Sequence, residues 1–185
     1  MINSRYVLTA SHCVNGKDLK AWKLISVRIG EWDVSTDIDC VETLCNPNPP
    51  VDISIEAKIP HEDFNPQSLN QHNDIALLRL SMPAPFNSHI RPICLPVASQ
   101  LQDYDLTSKT MSVAGWGRTE TASASKVKLK VNVDGISNVK CKEIYKTKNR
   151  EIAETQVCAG GKEGIDSWYV ADLLDLFSLF VAHFQ

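Results

Sequence analysis

Residues 126–133 carry the cleanest hydrophobic pattern in the chain: Lys126, Lys128 and Lys130 interleave with Val127, Leu129, Val131 and Val133. Successive side chains of a strand point to opposite faces, so this alternation predicts a strand with one wet face and one apolar face. Ile53-Ser54-Ile55-Glu56-Ala57-Lys58-Ile59 alternates in the same way and predicts a second half-buried strand. The short apolar run from Ile75 to Leu80 fits a buried strand. Val27-Arg28-Ile29-Gly30-Glu31-Trp32 reads as a strand with a glycine near its end, and Met111 to Gly117 as a strand running into a glycine-rich turn. Between Asn138 and Glu154 the pattern weakens, leaving a short helix around Lys142 to Lys146.

Turn chemistry fills the gaps between these segments. Asp33 to Asp52 is polar, holds Pro47, Pro49 and Pro50, and contains Cys40 and Cys45, which predicts a surface loop. Many short strands with little helix point to an antiparallel barrel or sandwich. The last stretch has a different character. Val170 to Gln185 is mostly Leu, Phe, Val and Ala, with Asp172, Asp175 and Ser178 at a spacing of three, which predicts an amphipathic helix with a narrow polar stripe. It is too short and too acidic for a membrane span of about 20 apolar residues. An interfacial helix is a second reading, against which the polar stripe lacks Lys and Arg.

Composition narrows the choice. The 185 residues suit one domain, and a net charge of -3 without a basic stripe excludes a nucleic-acid partner from the expectations. The six cysteines (Cys13, Cys40, Cys45, Cys94, Cys141, Cys158) lack the paired clusters of a zinc site. They read better as disulfide formers of an oxidising compartment. Met1 leads straight into Ile2-Asn3-Ser4-Arg5, which is not a signal peptide, so the expectation is that this methionine is not the natural start of the domain.

Five segments, in order, carry a resemblance. They are Tyr6-Val7-Leu8-Thr9-Ala10-Ser11-His12-Cys13, Asn73-Asp74-Ile75-Ala76-Leu77-Leu78-Arg79-Leu80, Arg91-Pro92-Ile93-Cys94-Leu95-Pro96, Val113-Ala114-Gly115-Trp116-Gly117-Arg118 and Cys158-Ala159-Gly160-Gly161. Together they resemble the chymotrypsin/trypsin family of serine proteases over about residues 2 to 167. The resemblance implies an all-β fold, a trypsin-like double antiparallel β-barrel. The expectation is an incomplete one, with the first strand and the end of the second barrel missing and an apolar helical tail following. Residues 1–167 would be the partial peptidase domain and 168–185 a tail outside the family.

The same resemblance implies roles for single residues. His12 would be the general base and Asp74 the carboxylate that fixes its tautomer and steadies the imidazolium. A serine hydroxyl needs such a base to attack at neutral pH, and histidine suits because its pKa lies near the working pH. Ser11 stands where alanine is usual in the family, a small change from which little effect is expected. Asp166, eight positions after Cys158, matches the floor of the specificity pocket and implies cleavage after Arg or Lys. The nucleophile is the missing element. A Gly-Asp-Ser-Gly-Gly segment appears nowhere, and Asp172 occupies the position six residues beyond Asp166 where the serine belongs. Trp168, Val170 and Ala171 replace the half-cystine, the oxyanion-hole glycine and the aspartate of that frame. Ser167 and Ser178 lack the strained glycine-flanked turn that exposes a nucleophile.

The resemblance also implies disulfides Cys40–Cys45 and Cys141–Cys158, with Cys13 and Cys94 left without partners; spacing alone leaves 15 pairings open. The loop holding Cys40 and Cys45, with Glu31 and Trp32 ahead of it, is similar to that of arthropod clip-domain proteases of the easter type. Some of these relatives bind calcium in the loop, and Glu31 would be a first ligand; a plain solvated loop is the other reading. No cofactor is required. Expected partners are protein substrates or inhibitors of an extracellular protease cascade. The functional expectation is a secreted trypsin-like endopeptidase domain that is inactive as written, with a non-catalytic binding homologue as the alternative.

Overall fold

Two lobes of antiparallel strands share the chain, the first ending near residue 98 and the second opening at the strand that starts at Thr110. The computed structural model describes residues 1–16, 23–98, 104–117, 119, 122–160 and the backbone of 182–184. In the first lobe β1 (Tyr6–Thr9), α1 (His12–Asn15), β2 (Leu24–Ile29), β3 (Cys40–Val41), β4 (Leu44–Cys45), β5 (Val51–Pro60) and β6 (Ala76–Leu80) follow in order. The second contains β7 (Thr110–Gly115), β8 (Leu129–Ile136), α2 (Asn138–Lys146) and β9 (Cys158–Ala159), and β10 (Ala182–Phe184) ends the described chain.

The first sheet has the order β1-β6-β5-β2-β10 and curls around an apolar core. Alternation explains which residues enter it. On β6, Ala76, Leu78 and Leu80 are buried while Arg79 stays out. On β5, Ile53 points in between the exposed Asp52 and Ser54, and a bulge between Ile55 and Ala57 bends the strand where it crosses β6. Met1, Val7, Leu24, Val27, Ile29, Ala84 and Ile90 complete the cluster. Gly30, directly after β2, has φ 78°, and Ile90 lies so close that a Cβ there would sit 3.0 Å from its side chain; both features favour glycine.

Among the described residues, the second sheet has three strands, β7-β8-β9. Its alternating segment starts later than the sequence predicts. Residues 126–128 leave β7 and turn to the first lobe instead: Val34 N donates to Lys126 O at 2.9 Å and Lys128 N to Trp32 O at 2.8 Å. Pairing with β7 begins at Leu129, and the strand then runs on to Ile136. The helix is also longer than expected. Ser137 caps it by accepting from Lys140 N, so it opens at Asn138.

The loop from Asp33 to Asp52 contains the two-residue strands β3 and β4, paired across the Cys40–Cys45 disulfide. Cys141 of α2 is bonded to Cys158 of β9, while Cys13 and Cys94 are free thiols. Most of the predicted C-terminal helix lies outside the described residues. Its end is not helical: Ala182–Phe184 pairs antiparallel with β2, whose outer edge offers unpaired backbone groups that a short strand satisfies. Among the described residues, no helix is long and apolar enough to cross a membrane.

Candidate active site

The segment between β1 and α1 is pinned before it delivers its histidine. Ala10 and Ser11 are fully buried, and Val14 N and Asn15 N both donate to Ser11 O, closing a single helical turn. His12 opens that turn. Its backbone N–H donates to Asp74 Oδ1 at 2.8 Å and its Nδ1 lies 2.6 Å from Asp74 Oδ2. One carboxylate thus holds the residue by main chain and ring together. The Asp74 side chain is only 5% exposed against 28% for the imidazole, so the carboxylate sits behind the ring and the ring faces outward.

Chemically, this arrangement settles the tautomer. An ionised carboxylate only accepts, so Nδ1 carries the proton and Nε2 is the basic nitrogen. Cys13 Sγ lies 3.4 Å from that Nε2.

Asp74 is presented by a tight turn. Asn73 has φ 59° and Ile75 N donates to Asn73 O at 2.8 Å, placing Asp74 at the apex. Immediately after it, Ile75 O accepts from Ser11 Oγ at 2.6 Å and from His61 N at 3.0 Å, and Ser11 Oγ accepts in turn from His61 N at 3.1 Å. The Ser11 hydroxyl joins the residue before His12 to the residue after Asp74. Its departure from the usual alanine was the only sequence signal for this.

Glu31 follows β2 and is buried. Its Oε1 accepts from Trp32 N at 2.8 Å and its Oε2 faces Arg28 at 3.5 Å. Asp39 accepts from the amides of Trp32 and Asp33. The Arg28 guanidinium is pushed further up by its hydrogen bonds to Asp52, with Glu31 adding to the effect. A calcium ion takes about six to eight oxygens. Here two buried carboxylates, those of Glu31 and Asp39, accept from the Trp32 amide, and among the described residues no three His, Cys, Asp or Glu side chains gather where they could hold a metal.

An open apolar cavity of about 1050 Å³ lies between the lobes, lined by Met1, Leu8, Ile29, Ile93, Ala114 and Trp116 among others, but neither His12 nor Asp74 borders it. Among the described residues, the lobes are fastened at two seams. At one, Trp116 Nε1 donates to Trp32 O at 3.0 Å and Lys128 lies over the Trp116 ring. At the other, Asn70 and His72 meet Glu151 and Gln156. Asp166 and Asp172 lie outside the described residues, as do Ser167, Trp168, Val170, Ala171 and Ser178.

Comparison with known proteins agrees with this geometry. The Trypsin family model matches residues 1–168. Serine protease ea of Drosophila melanogaster is 48% identical over 173 residues, 90% of this chain and 44% of its own length. CLIP domain-containing serine protease HP8 of Bombyx mori is also 48% identical, over 90% of this chain and 45% of its own. The crystal structure of the Drosophila Grass clip serine protease of the Toll pathway superposes with a TM-score of 0.71 at 36% identity, covering 88% of this chain and 45% of that one. The chain thus spans less than half the length of the relatives it matches. The curled sheets agree with an incomplete double barrel, and proteases of this type generally need no cofactor. The relatives matched include insect clip-domain serine proteases, and the chain belongs to the trypsin family.

Proposed function

We propose that this chain is a trypsin-like protease domain, residues 1–167, that keeps the proton-handling half of the catalytic apparatus and is silent as written. His12 acts as the base and Asp74 as its orienting partner. The observation that carries the reading is the 2.6 Å contact between His12 Nδ1 and Asp74 Oδ2 in a sequence without a Gly-Asp-Ser-Gly-Gly segment. A base with no hydroxyl to deprotonate forms no acyl-enzyme. Removing one member of a triad typically leaves about 10³–10⁴-fold catalysis over water, supplied by the oxyanion hole and substrate binding. Val170 and Ala171 replace that hole's frame here, so even this remnant is not expected.

In this reading Asp166 gives a preference for Arg or Lys side chains, and residues 168–185 lie outside the peptidase domain. Disulfides and the cascade roles of the relatives support an extracellular setting with protein substrates or inhibitors as partners. A fluorophosphonate probe and an arginyl peptide substrate test the proposal on the purified chain. The expected result is no covalent label and no turnover. Labelling that disappears in His12→Ala would overturn it.

A further inference from the structure

The loop that carries Asp74 is held in an unfavourable backbone conformation. Gln71 and Asn73, two of the three residues ahead of Asp74, have φ values of 49° and 59°. Asparagine visits this left-handed region readily, but a glutamine persists there where the surroundings over-determine it. On the first-lobe side the restraint is visible: Ile75 O is gripped by Ser11 and His61. On the other side the restraint comes from the second lobe. Glu151 N donates to Asn70 Oδ1 at 2.9 Å, Gln156 Nε2 donates to Asn70 O at 3.3 Å, and His72 Nε2 donates to Glu151 O at 2.9 Å. Gln156 is itself fixed, since its Oε1 accepts from Ala153 N at 2.9 Å.

We propose that this clasp sets the position of Asp74 against His12, and that Asn70 and His72 are positioning residues for the pair. The proposal rests on reading His12 and Asp74 as base and orienter. The anchors fall four and two residues before Asp74, and the Ser11 anchor falls one residue after it. With both ends fixed, the short turn between them has little freedom left. Release of the second-lobe end lets Gln71 and Asn73 relax toward ordinary backbone angles. The carboxylate then swings away from the imidazole. Displacements on the order of 1 Å are enough to spoil such a contact. A clasp that only stapled the lobes together would affect unfolding and leave the carboxylate–imidazole hydrogen bond unchanged, which separates the two roles.

Nuclear magnetic resonance of the full chain, labelled with ¹⁵N-histidine, reads the proton on His12 Nδ1 directly. Asn70→Ala should speed its exchange with water about tenfold and move the resonance upfield, as loss of a net hydrogen-bond restraint would. Asn70→Asp keeps an oxygen to accept from Glu151 N and should restore the signal. His72→Ala should shift it the same way by less. A folded Asn70→Ala chain with a lower unfolding midpoint but an unchanged Nδ1 proton would overturn the proposal, and so would failure of Asn70→Asp to restore the signal. If Asn70→Ala does not fold, the half-buried His72 supplies the test, and an unchanged proton in His72→Ala is equally fatal. None of these readouts needs proteolysis. Fluorophosphonate labelling would sink the silent-protease reading and leave the clasp standing, while a failed clasp leaves that reading untouched.

Discussion

The first lobe and the second are built from the same kind of antiparallel strand, yet they bury side chains very differently. Every member of the main apolar cluster, from Met1 and Val7 through Leu80 to Ile90, belongs to the first lobe. The second lobe buries Val133, Cys141, Ile152 and Ala159, and ties α2 to β9 through Cys141–Cys158. Among the described residues of the second lobe, a covalent link and polar seams take over work that packing does in the first. The division matters for function because His12 and Asp74 both stand on the well-packed lobe.

The sharpest way to break this contrast is Leu78→Ala. Leu78 is buried at the centre of β6 between β1 and β5, and cavity formation there should cost about 2–5 kcal/mol, read as a fall in the urea midpoint. The His12–Asp74 contact should be lost with it. Replacing Cys141 and Cys158 by alanine comes next. The two are 17 residues apart, and opening a loop of that size should cost about 3 kcal/mol. Hydrogen exchange should rise in β8, α2 and β9 while β1, β5 and β6 keep their protection. Equal loosening of both lobes would erase the distinction drawn above.

Ser11→Ala should be milder, at about 0.5–1.5 kcal/mol, because the hydroxyl's bonds to Ile75 O and from His61 N are lost but His61 N still reaches Ile75 O.

Much of the first lobe can be read from local pattern. Ile53, Leu78 and Leu80 go inward because alternation leaves them nowhere else to go, and the His12 and Asp74 octamers announce their own meeting across 62 residues. Other features leave no such trace. Asn70, His72, Glu151 and Gln156 are ordinary polar loop residues about 80 positions apart, and only the folded seam makes them partners. The late start of β8 was hidden for a related reason. Lys126 to Val133 alternates without interruption, so the pattern cannot register that Trp32 and Val34 compete for residues 126–128. At the tail, composition favours a helix, but for Ala182–Phe184 the open edge of β2 outweighs local preference.

The thiol of Cys13, set 3.4 Å from His12 Nε2, has a practical bearing on anyone handling this protein. Alkylation with iodoacetamide, a routine step before mass analysis, would plant a bulky carbamidomethyl group against the imidazole. Samples meant for activity assays or histidine spectroscopy should be kept away from thiol-blocking reagents. The same adjacency offers a handle, since a small fluorescent maleimide on Cys13 would report on the ring's surroundings from within contact distance.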